Sequence, residues 1–161
     1  MPRPQFFQSR KKFVRGSTLV RFNREAELNL QLVPHGQLAA MAEGRGDEET
    51  YLTVTFRILV GASLIEFADE AGMETLEEEV FIPALGSLIS VGERYQRLGK
   101  FGLNGDELLS LKQALNLTDQ LQIAATRKQL LEQSLKVQHH VGGIEYTLNK
   151  LHKLLNKEAI K

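Results

Sequence analysis

Apolar side chains recur along this chain at helical spacing, in stretches separated by glycine- and asparagine-containing turns. The clearest stripe is Leu76, Val80, Ala84, Leu88, Val91 and Tyr95, which steps by four and three and predicts one buried helical face. That helix would start near Glu74, bend at Pro83 and end near Leu98 and Gly99. Arg94, Arg97 and Lys100 would meet the negative end of its dipole. Asn104-Gly105-Asp106-Glu107 then reads as a capping box, with Asn104 as the cap and Glu107 reaching back to its amide. The following pattern, Leu108, Leu111, Leu115, Leu121, Ala124, Leu131 and Leu135, predicts a single helix as far as Val137. Gly142-Gly143 breaks it, and Leu148, Leu151 and Leu155 put an amphipathic helix over Ile144 to Lys157.

Two earlier tracts are ambiguous. Asn23 is a fitting N-cap ahead of Glu25 and Glu27, opening a helix that runs towards Gly44 through Leu28, Leu32 and Leu38. Leu28, Leu30 and Leu32 step by two, however, so a short strand over residues 28–33 stays open. Pro34 lies inside the same tract and predicts a kink or a division, because it removes an amide donor and clashes with the preceding turn. Asp47 caps the next tract, where residues 51–60 alternate almost as a strand would. The tract runs unbroken to Gly72, far beyond the usual length of a strand, and this favours a helix. The sum is an all-α bundle of four to five helices with an extended basic N-terminal arm. Residues 1–22 form the arm and residues 23–138 the bundle. Residues 144–161 form a C-terminal amphipathic helix packed on the bundle or on a second subunit.

Charge changes this picture, because a net charge of zero hides a strong segregation. Arg3, Arg10, Lys11, Lys12, Arg15, Arg21 and Arg24 face one acid, Glu25, at the head of the chain. The tail from Arg127 is again basic, and the segment between is strongly acidic. Phe6, Phe7, Phe13 and Phe22 interleave with the cations of the head. That mixture suits three uses: pinning the arm to the bundle, engaging a protein partner, or stacking and charge-pairing on single-stranded nucleic acid. The contributors would be Phe6, Phe7, Arg10, Lys11, Lys12 and Arg15.

Composition removes much chemistry. With no cysteine there are no disulfides, thiolate metal sites or thiol nucleophiles. No serine sits in a G-x-S-x-G elbow, and Gly44-Arg45-Gly46 lacks the third glycine of a dinucleotide loop. His139 and His140 are neighbours and diverge by about a hundred degrees on a helix, so no metal role is expected. Asp47-Glu48-Glu49 and Glu77-Glu78-Glu79 are explained by helix starts. A carboxylate site would require the two clusters to converge. Lys112 to Thr118 faintly resembles the turn of a DNA-binding helix-turn-helix, but it lacks the usual glycine and lies in the acidic body. Tyr51 to Gly72 is interrupted by Arg57, Glu66 and Asp69, too many charges for a membrane span, and the N-terminus lacks a signal-peptide pattern. A soluble, cytoplasmic protein without cofactor is expected.

The stretch from Glu93 to Leu108, with Ala125-Thr126-Arg127-Lys128, Asn23 to Leu28 and Gly46 to Glu49, resembles small helical proteins of proteobacterial phages, prophages and plasmids. The resemblance covers roughly residues 20–130 and rests on caps and turns. It implies an accessory gene of a mobile element and carries over no site residues. The resulting expectation is a non-catalytic protein that binds a protein partner. A nucleic-acid-binding regulator is the alternative, a carboxylate enzyme the remote third, and a homodimer is compatible with the amphipathic tail.

Overall fold

A computed structural model describes residues 24–67 and 77–160, and every regular element among them is helical. The elements are α1 (Arg24–Ala42), α2 (Glu48–Leu64), α3 (Ile82–Leu98), α4 (Gly105–Ala124), α5 (Arg127–Gln138) and α6 (Ile144–Ile160). A short 3-10 turn, Ile65–Phe67, follows α2, and a π turn, Glu77–Phe81, precedes α3. Both ambiguous tracts are helical: residues 28–33 belong to α1 and residues 51–60 to α2.

The apolar α2 occupies the centre, packing on α1, α4 and α5, while α3 lies against α4 and α6. Tyr51, Val54, Ile58, Phe81, Leu88, Leu111, Leu115 and Leu151 are completely or almost completely enclosed and form one core. The α2–α4 crossing is close enough that a Cβ on Gly61 would stand 1.9 Å from Thr118 Oγ1. Only a residue without a side chain permits that approach. Gly92 performs the same service for α3, where a Cβ would meet Leu148 and the Tyr51 hydroxyl at 2.7 Å. Tyr51 donates its hydroxyl to the Leu88 carbonyl at 2.7 Å, and burial raises its pKa. Phe101 stacks on both Tyr51 and Tyr95, with ring centroids 5.2 and 4.1 Å away.

The helix starts follow their local chemistry. Asp47 accepts the Thr50 amide at 2.8 Å, and Asn104 accepts that of Glu107 at 2.8 Å, each in a reciprocal capping box. The Glu107 carboxylate is also gripped by both terminal nitrogens of Arg94, at 2.7 and 3.0 Å. Arg94 further donates to the Gly102 carbonyl at 2.6 Å, so it ties the α3–α4 turn together. Arg94 and the Asn104 amide hold the Glu107 carboxyl below its ordinary pKa despite its burial. Gly99 closes α3 in the left-handed conformation, with φ 72°.

Several expectations are corrected. The single helix expected to run to Val137 is two, because Thr126 and Gln129 form a third reciprocal capping box that starts α5 afresh. The restart turns the expected core residues Leu131 and Leu135 outwards, 59% and 53% exposed, and buries Gln133 and Val137 instead. α2 ends at Leu64 rather than Gly72, and Pro83 stands in the first turn of α3 rather than bending its middle. Pro34 does not divide α1. Leu32, expected on the buried stripe, is 62% exposed. The whole of the arm, residues 1–22, lies outside the described residues.

Candidate functional site

The break at Ala125-Thr126 has a consequence on the surface. α5 folds back beside α2, and between α1, α2 and α5 lies a groove of about 540 Å³. Leu30, Val33 and Pro34 of α1 form one wall, and Leu130, Leu131 and Ser134 of α5 the other. Phe56, Arg57 and Val60 of α2 lie between them. Leu32 and Leu135 add exposed apolar surface on the same two helices. Proline has no amide proton, so the Leu30 carbonyl lacks the donor that a helix would normally supply from position 34.

One charged network joins the three helices that meet beneath the groove. Arg57 Nη2 of α2 donates to Asp119 Oδ1 of α4 at 3.0 Å, and His35 Nε2 of α1 lies 2.8 Å from Asp119 Oδ2. The Arg57 side chain is only 7% exposed. Burial pulls its guanidinium below the ordinary pKa, and the hydrogen bond and charge of Asp119 push back. Its Nε is buried without a hydrogen-bond partner among the described residues. An unpaired buried donor of this kind costs roughly 1–3 kcal/mol.

A shallower recess of about 580 Å³ continues the groove along α2 and shares Thr53 and Phe56 with it. Leu52, Gln138 and Val141 line it together with Glu48 and Glu49. The combined track is therefore apolar in its middle, with Arg57, held by Asp119, and Arg127 at one end and Glu48 and Glu49 at the other. Arg57 and Glu49 are eight residues apart on one helix, or about 12 Å along the axis.

The six arm residues singled out from the sequence, Phe6, Phe7, Arg10, Lys11, Lys12 and Arg15, lie outside the described residues. The arm precedes α1, and α1 supplies a wall of the groove. The acid clusters are spread over separate tasks. Asp47 caps α2, Glu48 accepts the Ile144 amide at the start of α6 at 3.2 Å, and Glu78 and Glu79 are exposed. Among the described residues, no three His, Asp or Glu side chains converge to hold a metal ion. His152 meets Glu93 at 2.9 Å. His140 is held below its ordinary pKa by partial burial, then by Lys150 and His139. Lys112 to Thr118 lie within the unbroken α4, without the turn that a helix-turn-helix requires there.

Glu48–Phe67 is long and apolar enough to cross a membrane, but most of it is buried against the other helices. Sequence reading missed Leu131 as a groove-lining residue and Arg57 as the buried cation beneath it. The available signal was Thr126-x-x-Gln129, a capping box inside an apparently continuous leucine pattern. No family model matches the chain, and no curated protein or solved structure is similar to it.

Proposed function

We propose that this protein is a non-catalytic binding module, an accessory factor of the mobile-element type, which acts by docking the apolar ridge of another polypeptide. The observation that carries this reading is the α1–α2–α5 groove, lined by Leu30, Val33 and Leu131, all more than a third exposed. Leucines clustered around one concavity suit an interface better than isolated exposed side chains do. The cations Arg10, Lys11, Lys12 and Arg15 speed encounter with an acidic partner, and Phe6 and Phe7 supply further anchors.

Photo-crosslinking in the producing cells tests this. A benzophenone amino acid at Leu131 should yield discrete protein adducts. The same group at Leu109 or Ile123, which are equally exposed but line neither recess, should not. Adducts that are absent at the groove, or no stronger there than at the control positions, would overturn the reading.

A further inference from the structure

The last helix has two faces with opposite chemistry. Ile144, Thr147, Leu148 and Leu151 of α6 are buried against the bundle. Across the helix from them, Tyr146, Lys150, Lys153 and Lys157 recur at steps of four, three and four, in one stripe about 17 Å long. Glu145, the acid of the first turn, lies on the adjacent stripe with Asn149, His152 and Asn156, and His152 is engaged by Glu93. Elsewhere cations are matched within the chain: Arg57 by Asp119, Arg94 by Glu107 and Lys128 by Glu132. Among the described residues, Lys150, Lys153 and Lys157 have no ion-pair partner.

The head of the stripe is held in place. The Tyr146 hydroxyl donates to the His139 carbonyl at the end of α5, and Lys150 Nζ stands 5.3 Å from the ring centroid. The ring is nevertheless 46% exposed. Charge complementarity calls for a polyanion along the lysines, and the exposed ring calls for one with flat faces of its own, which an acidic polypeptide lacks. A bilayer is a poor match, because the apolar face of α6 is already spent on the bundle.

We propose that this face of α6 binds single-stranded nucleic acid, with Lys150, Lys153 and Lys157 on phosphates and Tyr146 stacked against a base. The base takes the place of Lys150 over the ring as that ammonium moves to a phosphate. No residue of α6 lines either recess, so this binding is independent of whatever docks in the groove.

The test uses the full chain and labelled oligothymidine and oligouridine strands of about twenty nucleotides, followed by fluorescence anisotropy across a salt series. Binding should weaken with salt. Lys150→Gln, Lys153→Gln and Lys157→Gln together should lower the affinity at least tenfold and make the log–log salt slope shallower by about 2, or roughly 0.7 for each phosphate released. Their helical circular dichroism should not change, since none of the three lysines is buried. Tyr146→Leu should cost about fivefold with the slope unchanged, the signature of lost stacking.

No binding by the full chain would overturn the proposal. So would a triple lysine variant that binds as the parent does while Arg10→Gln, Lys11→Gln and Lys12→Gln abolish binding, since the arm would then be the site. Tighter binding to a duplex, to polyglutamate or to anionic phosphatidylserine vesicles than to the single strands would assign the stripe to that partner instead. The groove's protein adducts at Leu131 are read separately, so either reading can fail without the other.

Discussion

The α2–α4 crossing and the α1–α2–α5 groove are built on the same helix and use it in opposite ways. At the crossing, Gly61 admits Thr118 so closely that no added atom fits, and the Thr118 hydroxyl is satisfied by the Ala114 carbonyl at 2.8 Å. Across the groove, α1 and α5 stand apart, leucines are exposed, and the buried Arg57 Nε has no partner. The first region is complete within one chain. The second leaves apolar surface exposed and the Arg57 Nε unmatched among the described residues. A protein that needs stability from one face and recognition from another separates them in this way.

The difference predicts how substitutions divide. Gly61→Ala forces a Cβ into Thr118 and should cost about 3 kcal/mol, read as a lower urea midpoint. Adding Thr118→Ala should return part of that loss, because the clashing hydroxyl is gone. Asp119→Ala leaves Arg57 buried without its counter-ion. Asp119 is itself one-fifth exposed, so the expected loss is about 2 kcal/mol rather than the full value for a deeply buried pair. Leu131→Ala, by contrast, should change the stability of the single subunit by no more than about 0.5 kcal/mol. A large loss there would mean that α5 relies on the groove for its own folding.

Acid separates two further contributions. The folded pKa of His140 is depressed, so its contribution is complete above 6.5 and declines as pH falls through that value. Glu107 is depressed from 4.5 by Arg94, so its contribution persists to lower pH and is lost as pH falls through the folded value. Glu107→Gln should remove the lower step of a stability–pH curve, and His140→Gln the upper one. The smallest effect on folding is expected from Arg10→Ala with Lys11→Ala and Lys12→Ala. If the arm neutralises phosphates, these changes flatten the salt dependence of DNA binding; an unchanged slope excludes that use.

The sequence made the framework legible wherever a cap or a turn residue stood beside a periodic stripe. Asp47, Asn104 and Gly99 mark the helix ends they were expected to mark, and Ala84, Leu88, Val91, Leu148 and Leu151 are buried as their spacing implied. The groove was not legible, for a specific reason. Leu121, Leu131 and Leu135 fit one apolar pattern, and leucine looks the same whether it fills a core or awaits a partner. The Thr126-x-x-Gln129 capping box, overlooked within that pattern, resets the helical phase between Leu121 and Leu131. Arg57 was unreadable for a related reason, since its partner Asp119 lies sixty-two residues away on another helix.

The Arg94 clasp has a bearing on how the chain reaches its fold. It joins residues only thirteen apart and closes a turn already defined by Gly99 and the Asn104 cap. The loop that must close is short, so its entropic cost precedes little else and the α3–α4 hairpin can assemble early. The contact between Glu48 and Ile144 spans ninety-six residues and must await that assembly. The order of events would then run from the local hairpins to the long-range contacts, leaving the α2–α5 side of the groove among the last parts to form. A surface that forms last is also the one most readily completed by another chain.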